Sequence, residues 1–385
     1  MIDKFMNKFK QVQDALKELG VDGWLIASNE DSDIHSKYML GVSSHARHYV
    51  YVAQDGNHKV ISVRMEAPMI ERALKNQGIE AEVIAYGSMD ELVSLIKVLV
   101  QKPKVALNFC ENNLTNPTTA FADFLYVGDY NALKSLSPDT KYVSAAPIIY
   151  RLRSVKSSDQ LKDLRNVCKA TLEILETVPN WVKKGMTEKE VKAKIEYEYM
   201  KIGKPSFEAI VGSGPHSADP HHNTSLKKVS EGVLLIDTGL QIEEMCSDIT
   251  WTFWVGKKPN ERFLKAYDAL FKAKEIANQY YIDGIISNVP AQKCREYLQN
   301  NGFPEQEELF NHGLGHSLGF VAHDIGPRIG ITAPNDSILK EHMVYTNEPG
   351  LYWKEEWGIR LEDDIIIGKD KCEVVTYNHE NPILI

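Results

Sequence analysis

Four carboxylates in this chain are spaced as if to meet. Residues 233–236 form an apolar run that ends on Asp237, where a charge is costly without a partner, and Asp248 follows eleven residues later in Cys246, Ser247, Asp248, Ile249, Thr250. A hairpin turn within residues 241–245 predicts that the two aspartates stand directly opposite one another. Opposed Cβ atoms lie about 4.5–5.5 Å apart, and like charges there repel unless a proton or a cation neutralises them. The pattern recurs at Glu348, in Thr346, Asn347, Glu348, Pro349, Gly350, and at Glu362, in Arg360, Leu361, Glu362, Asp363, Asp364, with a turn expected at residues 354–357.

Two such pairs make a cage of about −4, which one proton cannot balance and two divalent cations can. Residues 311–320 lie between the hairpins and carry His316 among Gly313, Gly315 and Gly319, glycines expected to thin the backbone so that a bulky ligand can approach. Oxygen-dominated ligation with one imidazole favours Mn²⁺ or Co²⁺, with Zn²⁺ or Fe²⁺ as alternatives, over a thiolate-selected metal. Two bridged ions can share and deprotonate a water and then hold the oxyanion of a tetrahedral intermediate, which is hydrolytic chemistry. Taken singly, each carboxylate is an ordinary turn or cap residue and His316 an ordinary polar one; the joint order carries the reading.

These residues need two kinds of scaffold. Phe5, Phe9, Val12, Leu16 and Leu19 repeat at helical spacing, so residues 3–19 read as an amphipathic helix ending at Gly20. Strands at 24–27, 49–53, 60–63, 82–85 and 105–109, alternating with helices near 68–77 and 89–100, indicate an α/β first domain. Long helical patterns start after residue 158, which sets the boundary near 150–158 and gives domains 1–150 and 151–385. The Lys and Arg of that boundary, and His35, His45 and His48, are expected at the surface or between domains. In the second domain helices are expected at 158–178, 187–202, 261–281 and 290–301; Thr187 and Glu190 form a capping box. Strand and turn fill the rest, dominating beyond His342.

The chain has 385 residues, 43% of them hydrophobic and 25% charged, with 44 Lys plus Arg against 53 Asp plus Glu for a net charge of −9. That balance suits a globular protein without the basic face of a nucleic-acid binder. No run approaches the roughly 18 apolar residues of a membrane span, and the first 19 residues are charged throughout. Five scattered cysteines fit a reducing, cytoplasmic setting.

With those residues in view, the chain resembles the pita-bread metallopeptidases: Xaa-Pro aminopeptidases, Xaa-Pro dipeptidases (prolidases) and, more distantly, methionine aminopeptidases and creatinase. The resemblance implies a creatinase-type α/β domain followed by an α+β domain with a pseudo-twofold, curved antiparallel sheet. It further implies that Asp237 holds one metal, that Asp248 and Glu362 bridge, and that His316 with Glu348 completes the second ion, Glu348 doubling as proton shuttle. His221, with His222 as the alternative register, and His323 match histidines that contact the substrate and stabilise the intermediate. His312 and Arg360 match residues on the proline side, with a purely structural role as the other reading. Trp251 stands where the family usually has Arg and either shapes the pocket or packs in the sheet; Asp324 stands where Glu is common.

The implied activity is a metal-held hydroxide attacking the bond between an N-terminal residue and proline in a peptide substrate, by a homodimeric enzyme. Two other readings stay open: a metal-dependent small-molecule hydrolase or lyase of the same fold, suggested by Trp251 and Asp324, and a non-catalytic peptide-binding scaffold.

Overall fold

The computed structural model describes residues 7–112, 117–304, 309–334 and 337–385. Residues 3–6 of the first expected helix lie outside them. The chain divides into two compact units, Met1–Arg153 and Ser154–Ile385.

In the first unit the order is α1 (Lys8–Leu19), β1 (Gly23–Ser28), α2 (Ile34–Leu40), β2 (His48–Ala53), β3 (Lys59–Val63), α3 (Ala67–Asn76), β4 (Glu82–Tyr86), α4 (Met89–Val100), β5 (Lys104–Leu107), α5 (Val127–Leu136), β6 (Lys141–Ser144) and α6 (Ala146–Arg153). Asn7 caps α1 by accepting the Phe9 N–H, and Phe9, Val12 and Leu16 bury the face their spacing foretold. The six strands form one mixed sheet, β4-β3-β2-β1-β5-β6. Its central strand β1 is buried at all six positions, antiparallel to β2 and parallel to β5. A continuously apolar strand is what a sheet covered on both faces requires.

Two sequence expectations fail here. His35 and His48 are 1% exposed, not at the surface. His35 packs edge-on against Phe124 and hydrogen-bonds the Phe121 carbonyl, while His48 pairs with the Ser36 hydroxyl at 2.5 Å. Imidazoles satisfied this way are tolerated inside a core.

The second unit contains α7 (Ser158–Leu175), α8 (Val178–Trp181), α9 (Glu188–Tyr199), β7 (Lys204–Pro205), β8 (Ile210–Ser213), β9 (Gly232–Thr238), β10 (Leu240–Ile242), β11 (Met245–Cys246), β12 (Ile249–Val255), α10 (Glu261–Asn278), α11 (Val289–Asn300), β13 (Val344–Asn347), β14 (Gly350–Trp353), β15 (Trp357–Arg360), β16 (Asp363–Ile366) and β17 (Glu373–Val374). The capping box at Thr187 and Glu190 forms as its sequence predicts, and a second one, Ser157 with Gln160, starts α7. Antiparallel ladders β8-β9-β12 and β13-β16-β17, with the hairpin β14-β15, make the platform. One face of β12 (Ile249, Trp251, Phe253, Val255) joins Leu164, Val167, Val191 and Ile195 of the helices in the core; the other turns Thr250 and Thr252 toward β15. All five cysteines are free, and among the described residues no helix is long and apolar enough to cross a membrane.

Candidate metal centre

The first carboxylate hairpin is shifted relative to the expected register. Asp237 faces Thr250, not Asp248. The turn does fall within residues 241–245, but on Glu243 and Glu244, one residue later than the Asp237–Asp248 pairing requires: the ladder runs on through β10 and β11, where Gln241 faces Cys246 and Ile242 faces Met245. Moving the turn by one residue shifts every pairing by two. Because strand parity is two, Asp248 stays on the same face as Thr250 and becomes the diagonal neighbour of Asp237. The carboxylates still converge, but diagonally.

The second hairpin keeps the expected register. Asn347 faces Asp363 at the end of one ladder and Gly350 faces Arg360 at the start of the next, so Glu348 falls opposite Glu362 across the break between them. The turn is Lys354–Glu355–Glu356, with Glu355 left-handed at φ 65°. The Glu362 N–H donates to the Thr250 carbonyl, which ties this hairpin to the first.

Residues 314–318 run antiparallel along β13 between the two. The Thr346 N–H donates to the His316 carbonyl at 3.0 Å and the His316 N–H to Thr346 Oγ1 at 3.1 Å. Two of the glycines here have a reason within the chain itself. A Cβ on Gly315 would sit 2.1 Å from the Thr346 carbonyl oxygen, and one on Gly319 would sit 2.0 Å from an Asp324 carboxylate oxygen.

The resulting cluster is short of positive charge. Asp248, His316 and Glu362 each place a donor atom within 4.8 Å of the other two. Burial first, and neighbouring carboxylates second, push the Asp248 and Glu362 carboxyls well above the usual range. Asp237 shifts the same way through burial, moderated by the Arg360 guanidinium that binds its Oδ2; its Oδ1 is buried with no hydrogen-bond partner. His316 Nδ1 lies 3.2 Å from the Ser317 carbonyl, which can only accept, so in the neutral ring Nε2 carries the lone pair. That lone pair faces oxygens of Asp248 and Glu348, each at 3.4 Å. An imidazole fixed by a backbone carbonyl and aimed among carboxylates has the form of a metal ligand, and the orphaned Asp237 oxygen fits a cation as well. The residues present therefore fit divalent ions.

Around this cluster, Thr250 donates to Glu362 Oε2 at 2.5 Å and accepts from Arg360 Nε at 3.0 Å. Arg360 also donates to the Tyr352 hydroxyl, which lies 2.8 Å from His312 Nε2, and His312 Nδ1 donates to the Gly313 carbonyl. Burial and then the Arg360 charge push His312 down to about 3, so it is neutral at physiological pH. His323 meets His316 edge-on with ring centroids 4.2 Å apart. His221 is close enough for its charge to depress both His312 and His323, whereas His222 turns away to Glu188. Of the two, His222 is engaged with Glu188, while His221 is exposed on the side of His312 and His323.

Trp251 is not brought to the cluster. It lies one residue from Thr250 and so points to the opposite face of β12, 3% exposed, its indole donating to the Tyr377 carbonyl and its ring against Tyr377 and His379. Asp324 also has a structural explanation: it pairs with Lys156 at 3.2 Å, both side chains 2% exposed, and accepts from the Phe320 and Ile325 N–H groups beside His323. Lys156 is thus a buried counter-ion rather than a solvated linker residue, and Arg153 is buried too. Sequence reasoning missed Thr250, Thr346 and Tyr352. Alternation would have found them, since Thr250 shares a strand face with Asp248, and Thr346 and Tyr352 share one with Glu348.

Comparison with known proteins agrees with this geometry. Residues 162–369 match metallopeptidase family M24, and residues 8–155 match the creatinase/prolidase N-terminal domain. An uncharacterized peptidase of Methanocaldococcus jannaschii is 36% identical over 245 residues, covering 61% of this chain and 67% of that protein. An Xaa-Pro dipeptidase of Pyrococcus horikoshii is 26% identical over 378 residues, 97% of this chain and 98% of its own length. The crystal structure of an X-Pro aminopeptidase from Thermotoga maritima superimposes with a TM-score of 0.84 at 26% identity, covering 98% of this chain and 99% of that one.

Proposed function

This chain belongs to metallopeptidase family M24 and is a hydrolase, and from that premise we propose that it is an Xaa-Pro peptidase that uses two divalent cations, Mn²⁺ or Co²⁺, to cleave the bond between an N-terminal residue and proline. The observation that carries the reading is the convergence of Asp248, His316 and Glu362, whose donor atoms lie within 4.8 Å of one another with both carboxyls buried, beside an Asp237 that keeps an unpartnered oxygen. The relatives that act on Xaa-Pro bonds match over nearly the whole chain, which supports the substrate class.

In this reading Asp237, Asp248, His316, Glu348 and Glu362 would hold the two ions, which would supply a more acidic water and a polarised substrate carbonyl. The protein's own groups do the rest. Glu348 is the most open of the four carboxylates, 16% exposed, and Thr346 Oγ1 donates to its Oε1 at 3.2 Å. It takes the proton from the attacking water and delivers it to the proline nitrogen, which has no N–H of its own before cleavage. His221 and His323 orient the scissile carbonyl from the open side. Neutral His312 and the Arg360–Tyr352 pair border the proline side, where the Arg360 charge also offsets part of the burial that raises the Asp237 carboxyl.

The small-molecule alternative loses its motive, because Trp251 faces the core and Asp324 answers to Lys156. The enzyme is further proposed to be cytoplasmic and homodimeric. The test is amino-acid release from Ala-Pro and Ala-Pro-Ala by metal-stripped protein given Mn²⁺ or Co²⁺, with Asp248→Ala as control. Metal-dependent release that the substitution abolishes is expected, and the preferred peptide separates dipeptidase from aminopeptidase. No release from either peptide overturns the proline reading.

A further inference from the structure

A second cluster of metal-ligating side chains lies in the same unit and shares no residue with the centre described above. Glu188 opens α9 behind its Thr187 cap, His216 sits in the single helical turn Gly214–Ala218, and His222 follows His221. The Glu188 side chain is 0% exposed, that of His222 is 11% and that of His216 is 33%. His222 Nε2 lies 3.0 Å from Glu188 Oε2, and His216 Nδ1 lies 3.1 Å from the same oxygen and 2.9 Å from Oε1. One donor atom from each of the three falls within 4.8 Å of the other two.

We propose that Glu188, His216 and His222 form a third cation site, suited to Zn²⁺ or an ion of its class. Ligands about 2.0–2.2 Å from a tetrahedral ion stand roughly 3.3 Å from each other, close to the separations already present between the carboxylate and each imidazole. The donor set, two imidazoles and one carboxylate, is a zinc set and not a magnesium or calcium one. The carboxylate is held in place from behind: Ser213 N–H donates to Oε1 at 3.0 Å, and the Ser225 N–H and hydroxyl donate to Oε2 at 3.2 and 2.7 Å. Donors of this kind orient a ligating carboxylate. The partly exposed His216 leaves a path for an ion to enter.

An ion here would join the first turn of α9 to both sides of the segment that carries His221. That consequence rests on the role proposed for His221; the binding itself does not.

The test is zinc content per chain after loading with Zn²⁺ and removal of the excess, in the full-length protein. Three ions are expected in the parent, two in H216N/H222Q and one in D248N/E362Q, with Co²⁺ giving the visible absorption of a tetrahedral site in the last. Equal zinc in the parent and H216N/H222Q overturns the proposal, and shows the three residues to be only a hydrogen-bonded clamp. If D248N/E362Q keeps all the parent's zinc while H216N/H222Q loses one ion, the third site stands and the dinuclear centre falls. Should H216N/H222Q fail to fold by circular dichroism, the single, partly exposed substitution His216→Asn in the D248N/E362Q protein is expected to raise the zinc Kd at least tenfold. An unchanged Kd there overturns the proposal.

Discussion

Both units bury carboxylates against their sheets, and they treat them in opposite ways. In the first unit Asp33 is fully enclosed, yet Oδ1 accepts the His35 N–H at 2.9 Å and Oδ2 accepts from Asn108 at 2.6 Å, while Asn108 in turn accepts from the Trp24 indole. Burial raises its carboxyl to about 6, and these hydrogen bonds hold it from going higher. In the second unit Asp237 keeps an unpartnered oxygen, and Asp248 and Glu362 rise well above their ordinary values, through burial first and then through the carboxylates around them. Three consecutive acids at the start of β16 differ in the same way: Asp363 pairs with buried Lys274, Asp364 accepts the Asp248 N–H and the Cys168 thiol through Oδ2 while its Oδ1 stays unpartnered, and Glu362 faces Asp248 and Glu348. A buried acid is common enough; a buried acid denied its counter-charge marks a site.

The comparison breaks most visibly at Glu362. Glu362→Gln is expected to lower peptidase activity about a thousandfold, or ~4 kcal/mol on the barrier, while leaving the metal-stripped protein at least as stable in urea, since it removes a charge that repels its neighbours. Loss of stability to match the loss of activity would make Glu362 a structural acid. One residue along, the outcome reverses. Asp363→Asn strands the Lys274 ammonium, which is 1% exposed, and should cost about 3–5 kcal/mol. In the first unit, Asn108→Ala leaves the Trp24 indole and one Asp33 oxygen without a partner and should cost about 1–3 kcal/mol by urea unfolding, with kcat unchanged.

The gentlest test is pH. A carboxyl raised in the folded state stabilises fully below its unfolded value and loses that contribution as pH climbs through the folded one. For Asp33 that window ends at about 6, and for Asp364 it runs on to about 8. Metal-stripped protein should therefore keep losing melting temperature between pH 6 and 8, by about 2–4 °C per kcal/mol, and Asp364→Asn should flatten that stretch. A decline complete by pH 6 would place the deficit in the wrong unit.

Much of this was legible in residue spacing. The Glu348–Glu362 register followed from a short turn with no residue inserted on either arm, and the helix Met89–Val100 and the Thr187 capping box followed from local chemistry. The Asp237–Asp248 pairing was misjudged because a two-residue turn on Ile242–Glu243 and one on Glu243–Glu244 both fit within residues 241–245, and no local preference separates them. The errors at His35, His48, Arg153 and Lys156 share another cause. Polar type argues for the surface, and only the fold supplies the Phe121 carbonyl or the Asp324 carboxylate that lets such a group be buried. The placing of Trp251 was open for a related reason: strand parity put it opposite Thr250's face, but which face met the core was settled by α7 and α9.

The central claim, that this deficit exists to hold two cations, is tested most directly by anomalous scattering from crystals of the Mn²⁺-loaded protein. Two manganese peaks are expected among Asp237, Asp248, His316, Glu348 and Glu362, one of them in contact with Asp237 Oδ1. A single peak there, or none while activity persists, would contradict the account.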